Sequence, residues 1–150
     1  MLFRSKKIHE RQLDDRIELI QGDSEELPFA DNTFGTATVA FGVRNFEHLD
    51  RGLKEINRVL KPEGMLLVLE FSKPTVFPVK QVYYFYFKIL LPFLGRIISG
   101  DRSAYSYLPE SVERFPHGEA FLKQMESAGF RNLKEKRLTF GIASIYTGIK

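Results

Sequence analysis

The chain has 150 residues, 43% of them hydrophobic and 27% charged, with no low-complexity stretch, which fits one globular domain around a buried core and excludes disorder throughout. It has no cysteine, so disulfide scaffolds, thiolate nucleophiles and cysteine-based zinc sites are excluded, and a reducing compartment such as the cytoplasm suits it. Twenty-two Lys and Arg against nineteen Asp and Glu leave a net charge of +3, too small and too scattered to argue for a nucleic-acid partner.

The opening MLFRSKKIHE has basic residues but no apolar run behind them, so it does not read as a secretory signal. A short charged helix is predicted over residues 6–13, then a strand over 16–20 (RIELI), where Ile17 and Leu19 alternate with charged residues. GDSEELPFADNTFG reads as a loop. TATVAF, residues 36–41, is apolar or small on both faces and predicts a central parallel strand covered on each side.

Leu49, Leu53, Ile56, Val59 and Leu60 recur at helical spacing and predict a helix over 47–60. Lys61-Pro62-Glu63-Gly64 ends it, because proline cannot continue the helix and glycine accepts a positive φ, and MLLVLEF (65–71) follows as a fully buried strand. Strand, helix, turn and strand make a βαβ unit.

VYYFYFKILLPFLGRII, residues 82–98, falls short of the roughly 20 residues that span a bilayer, and Lys88, Pro92 and Arg96 interrupt it. It predicts a buried or interfacial helix, whose run from Tyr83 to Phe87 suits a core, an interface, or contact with lipid or a lipid-like substrate. A second amphipathic helix follows over 118–128, stopped by Gly129, and two alternating segments, 132–139 and 142–149, flank Phe140-Gly141 as an antiparallel hairpin. The fold class is α/β with a mostly parallel sheet and flanking helices.

Ligands of open α/β sheets bind outside the carboxyl ends of the strands, where loops offer polar groups that the packed sheet cannot. Three segments arrive at that edge: Gly22-Asp23-Ser24, Gly42-Val43-Arg44-Asn45, and Glu70-Phe71-Ser72. Each changes from apolar to polar within two residues, so Arg44 and Asn45 are expected to line a crevice. Structural readings stand beside this one: Asp23 capping its turn, Arg44 pairing with Glu47 or Glu70, Asn45 capping the helix that follows. His9, His48 and His117 share no spacing that would gather a metal, no G-x-S-x-G elbow supports a serine nucleophile, and no glycine-rich phosphate loop is present.

GDSEELPFADNTF, VAFGVRNFEHLDRGLKEINRVLKPEG and LLVLEFSKP closely resemble the ubiquinone/menaquinone biosynthesis C-methyltransferase family, and SAYSYLPESVERFP resembles its lid region. The resemblance implies a class I methyltransferase fold that transfers a methyl group from S-adenosylmethionine to a ring carbon of a prenylated, demethylated quinol, either a demethylmenaquinol or a related benzoquinol. It places Asp23 and Ser24 at the adenine end of the cofactor, with Ser where Ala is usual, and Ala40 where some members carry a cofactor-contacting Ser. Arg44 is implied as the catalytic residue, stabilising a developing oxyanion or holding a water. Asn45, Tyr105 and Tyr107 are implied to bind the substrate, and no metal is implied. Gly35 stands where the family has Asp, and Glu63 where it has Gly.

In that family a glycine-rich cofactor loop, the acidic residue that holds the ribose and an N-terminal signature precede this segment. The chain is therefore expected to be a single truncated methyltransferase domain over residues 1–150, a partial Rossmann-like sheet that binds S-adenosylmethionine weakly. In the family's strand order two further strands lie between the one at 16–20 and the one at 36–41, so both are expected to show bare edges, paired with each other or covered in a homo-oligomer. A non-catalytic remnant or assembly module of the same fold is the alternative function. The expected setting is the cytoplasm, at the inner face of the membrane if residues 82–98 make peripheral contact.

Overall fold

A computed structural model describes residues 2–86 and 111–150 of the chain. It opens with helix α1 (Leu2–Glu10), earlier than the predicted 6–13. No strand forms at 16–20, which corrects the sequence expectation. Ile17 and Ile20 stay 43% and 49% exposed, and the only bridge nearby is an isolated one between Asp23 and Glu26. The alternation of RIELI is real, but without a neighbouring strand its backbone groups have no ladder to join and water serves them better.

The βαβ unit is present. Strand β1 (Phe34–Ala40) leads through a single 3-10 turn at Val43–Asn45 into helix α2 (Leu49–Val59), and β2 (Leu60–Phe71) returns parallel to β1. Helix α3 (Val79–Phe85) follows. Beyond a helical turn at 111–114 come α4 (Glu119–Ser127), β3 (Arg131–Leu138) and β4 (Ala143–Ile149). The sheet order is β1-β2-β4-β3, with β4 antiparallel to both neighbours, so the described sheet is α/β and mixed, one parallel pairing against two antiparallel ones. The C-terminal hairpin supplies that balance by inserting its second strand beside β2.

Helices α2 and α4 touch each other and share one core with the sheet. Leu53 and Ile56 from α2, Phe121 and Met125 from α4, Leu66 and Val68 from β2 and Tyr146 from β4 form one buried cluster. The alternation along β2 is correspondingly clean: Leu66, Val68 and Glu70 are buried, Leu67 and Leu69 half-buried, and Met65 39% exposed. Neither β2 nor β1 is therefore covered on both faces as expected; Thr36, Thr38 and Ala40 of β1 are exposed. Among the described residues β1 has no second neighbour, so its outer edge is bare. Direct pairing with residues 16–20 does not occur.

The turn that ends α2 departs from expectation in one detail. The β1–β2 register runs from Phe34↔Leu60 to Thr36↔Met65, so Lys61–Gly64 bulges out of the ladder. The left-handed conformation falls on Glu63 (φ 62), not on Gly64. Gly64 is needed instead for close approach, since a Cβ there would lie 2.7 Å from the Lys61 carbonyl oxygen. A non-glycine residue in the left-handed region costs roughly 1–2 kcal/mol, against the small worth of the exposed Glu63–Arg131 ion pair. Glu63→Gly is accordingly expected to stabilise the chain by about 1 kcal/mol in a denaturant titration, whereas Glu63→Ala, which keeps the strain and loses the pair, gives no gain.

Candidate functional site at the carboxyl rim of the sheet

The rim where β1 and β2 end is organised by one buried ion pair. β1 leaves the sheet at Phe41 (φ 54), whose N–H still donates to the Leu69 carbonyl at 2.8 Å, and the chain turns through Gly42 into Val43–Asn45. That turn drops the Arg44 side chain over the end of β2. Arg44 Nη1 donates to Glu70 Oε1 at 2.7 Å and to the Phe41 carbonyl at 2.7 Å. Its guanidinium carbon lies 5.4 Å from the centre of the Phe71 ring.

Glu70 is fully buried and Arg44 is 11% exposed. The carboxylate also accepts the Phe71 N–H at 2.9 Å and the Arg44 backbone N–H at 3.4 Å. Arg44 Nε is buried with no partner among the described residues. Of the pairings left open by sequence, Glu70 and not Glu47 is the partner.

The loop carrying Asp23 and Ser24 reaches the same rim by anchoring on α2 rather than on a strand. The Glu25 carboxylate accepts the His48 backbone N–H at 2.8 Å and bonds His48 Nδ1 at 3.1 Å, filling the cap position of α2 where His48 supplies no side-chain cap of its own. The Leu27 N–H donates to Glu55 at 2.9 Å. Arg58 then spends its whole fork on the loop and its helix: Nε and Nη2 on Glu55, Nη1 on Asp31 and the Phe29 carbonyl, and Nη2 also on the Leu27 carbonyl. These pairs raise the Arg58 pKa further above its usual value.

Both anchoring carboxylates are held below the ordinary glutamate value of 4.5, Glu25 chiefly by the His48 backbone N–H and Glu55 chiefly by the Arg58 side chain. A depressed carboxylate stabilises the folded state above its unfolded pKa, and that contribution is lost as pH falls through its lowered folded value. The thermal midpoint is therefore expected to hold at mildly acidic pH and to decline below 4.5, and the Glu25→Gln/Glu55→Gln double variant should start lower and decline less steeply. Parallel curves for the two proteins would refute the anchoring role.

Asp23 is exposed, with Oδ1 accepting the Glu25 N–H at 2.9 Å, which is the turn-capping role; Ser24 is half-buried. Ala40 is exposed at the last position of β1, and Asn45 is exposed in the turn without serving as the cap of α2, a position held by His48. Tyr105 and Tyr107 lie outside the described residues, as does most of 82–98. Of the expected site residues that are described, Arg44 alone lines the cleft beside the turn; Asp23, Ser24, Ala40 and Asn45 do not line it.

The end of the segment likened to a lid supplies the opposite wall, through residues that sequence reasoning did not name. A cleft of about 380 Å³ runs beside Arg44 and Glu47, with Val43, Phe46 and Leu49 on one side and Ser111, Arg114 and Phe115 on the other. The i, i+3 spacing of Ser111 and Arg114 on a helical turn was the available signal. Gly52 shapes the near wall, since a Cβ there would lie 2.3 Å from the Phe46 ring.

The profile of the ubiE/COQ5 methyltransferase family matches residues 1–150. A demethylmenaquinone methyltransferase of Bacteroides fragilis is 46% identical over 145 residues, 97% of this chain and 59% of that protein. A mitochondrial 2-methoxy-6-polyprenyl-1,4-benzoquinol methylase of Dictyostelium discoideum is 48% identical over 139 residues, 93% of this chain and 44% of that one. The chain thus spans roughly half the length of these curated relatives. Among solved structures, a methyltransferase of Thermotoga maritima superposes with a TM-score of 0.65 at 19% identity, covering 98% of this chain and 69% of that one. The trans-methyltransferase CalH superposes at 0.64 and 16% identity, covering 99% and 40%. These two likenesses show the fold.

Proposed function

The chain belongs to the ubiE/COQ5 methyltransferase family, and on that premise we propose that residues 1–150 form one unit contributing the acceptor side and the adenine end of a quinone C-methyltransferase. The reaction is methylation of a ring carbon of a prenylated, demethylated quinol. The observation that carries this reading is the Arg44–Glu70 pair, set at the carboxyl rim of two parallel strands beside a cleft whose walls mix apolar and charged side chains.

The described residues fit the adenine end of S-adenosylmethionine, which when bound supplies an electrophilic methyl on a sulfonium. Asp23 offers an exposed carboxylate on an anchored loop and Ser24 a half-buried hydroxyl, while Ala40 leaves room at the strand end without a polar atom. Arg44 and Asn45 orient the ring, and the apolar wall residues exclude water from it, since alignment and desolvation are what such a displacement asks of a protein. A guanidinium carries only N–H donors and no acceptor, so Arg44 acts as a hydrogen-bond donor to the ring oxygen. Tyr105 and Tyr107 complete the substrate side.

Exposed apolar side chains at Val76, Phe77, Val82 and Phe85 support peripheral contact of the 82–98 segment with the inner face of the membrane, where a prenylated substrate resides; no helix among the described residues is long and apolar enough to cross a bilayer. The bare edge of β1 favours a second reading, a module that associates through this strand with a second copy.

Calorimetric titration of the chain with S-adenosylmethionine tests the first reading: weak saturable binding, lost in Asp23→Ala, is expected. Absence of binding in the chain, together with concentration-dependent dimerisation in sedimentation, would establish the second instead.

A further inference from the structure

We infer that Glu70 is a positioning residue that fixes the orientation of the Arg44 guanidinium and cancels its charge, so that the cleft accepts a ring hydroxyl in its neutral form rather than as an anion. This rests on the reading of the cleft as the acceptor's site. Orientation follows from the hydrogens of one nitrogen. Nη1 has two, and both are committed, one to Glu70 Oε1 and one to the Phe41 carbonyl, each at 2.7 Å.

With Nη1 pinned between a side chain and a backbone oxygen, and the Phe71 ring 5.4 Å from the guanidinium carbon, the fork has no free rotation. Nε is buried without a partner, and Nη2 makes no hydrogen bond to any described residue. With Nε shut away from solvent, the Nη2 hydrogens are what Arg44 has left to offer the cleft it lines.

Charge follows from counting the groups that face the cavity. Arg44, Glu47 and Arg114 line it, and Glu70 lies under Arg44 with its carboxylate fully buried. Among the described residues the formal sum is zero. A phenolate entering between Val43, Phe46, Leu49 and Phe115 would surrender its hydration with no net positive charge in return. A neutral phenol gives up much less and still accepts a hydrogen bond from the fixed fork. Arginine without Glu70 would reverse this preference.

The test uses 4-nitrophenol as the probe, since its absorbance reports its own ionisation, and arginine labelled with nitrogen-15, whose Nε–H signal for residue 44 is assigned by its loss in Arg44→Lys. In the unsubstituted chain the bound probe is expected to stay protonated at a pH where the free probe is half ionised. The Arg44 Nε–H is expected to exchange slowly with solvent. In Glu70→Gln the bound probe should become about tenfold more acidic and the Nε–H exchange faster.

Preference of the unsubstituted chain for the phenolate overturns the inference, and this measurement needs no variant to fold. Equal protection of the Nε–H with and without Glu70 also overturns it. Loss of protection in Glu70→Gln with no bound probe in either protein would uphold Glu70 as the positioning residue of Arg44 and refute the cleft as the acceptor's site.

Discussion

Arg44→Met is expected to lower the unfolding free energy by about 3–5 kcal/mol in a urea titration. The reason is what it leaves behind. Glu70 has no exposure, and without the guanidinium its carboxylate keeps only two backbone N–H donors, one of them at 3.4 Å. A buried charge stripped of its counter-ion is among the most destabilising changes a core can suffer, whereas replacing both members of such a pair by apolar side chains is often close to neutral. Arg44→Met/Glu70→Leu should therefore recover most of the loss. A double variant as unstable as the single one would mean that Arg44 contributes by packing and not by charge. The result bears directly on how activity data at this position are read, because any loss in Arg44→Met mixes the role proposed for the guanidinium with local unfolding of the rim.

The second large effect belongs to Phe121. It is fully buried, with its ring centre 5.0 Å from that of Phe115 and 4.7 Å from that of Tyr146. Phe121→Ala should cost about 3–5 kcal/mol, the usual range for deleting a buried aromatic ring. Tyr146→Phe should cost about 1–3 kcal/mol, because the Tyr146 hydroxyl accepts the Gly118 N–H at 2.8 Å and its removal leaves a buried donor unpaired. Since Phe115 also forms part of the cleft wall, Phe121→Ala removes the support under that wall. Probe binding should weaken under conditions where the variant is still folded. A loss under about 1 kcal/mol would show that the cluster collapses to fill the space.

Elements whose stability comes from their own pattern were legible. The heptad-like recurrence from Leu49 to Leu60 located α2 to within two residues, and Gly129 (φ 97) stops α4 as expected of glycine past a helix end. The hairpin around Phe140-Gly141 was likewise visible, its strands within one residue of prediction. Readings failed where an element depends on a neighbour. RIELI carries a strand pattern but has no strand to pair with, and the apolar faces of β1 and β2 predicted two covering layers where one is described. Arg44 was found because a charge straight after an apolar run is conspicuous. Its partner could not be chosen, because Glu47 and Glu70 are equally available in sequence and only the turn at Val43–Asn45 decides between them. The Ser111 wall lies inside the stretch likened to a lid, but which of its residues meet the rim was not legible, because they do so through space, at a separation of more than sixty positions.

Among the described residues, the hydrogen bonds and ion pairs that tie the loop from Asp23 to Thr33 to the rest of the chain come from residues that follow it: His48, Arg51, Glu55, Arg58, the carbonyl of Val59 and Lys150. Placement of the carboxylate at its head is thus independent of whatever sequence comes before Gln21. Insertions, deletions or a fused segment on that side can drift without displacing it. Residues before Gln21 can therefore be rebuilt while the loop keeps its anchors on α2.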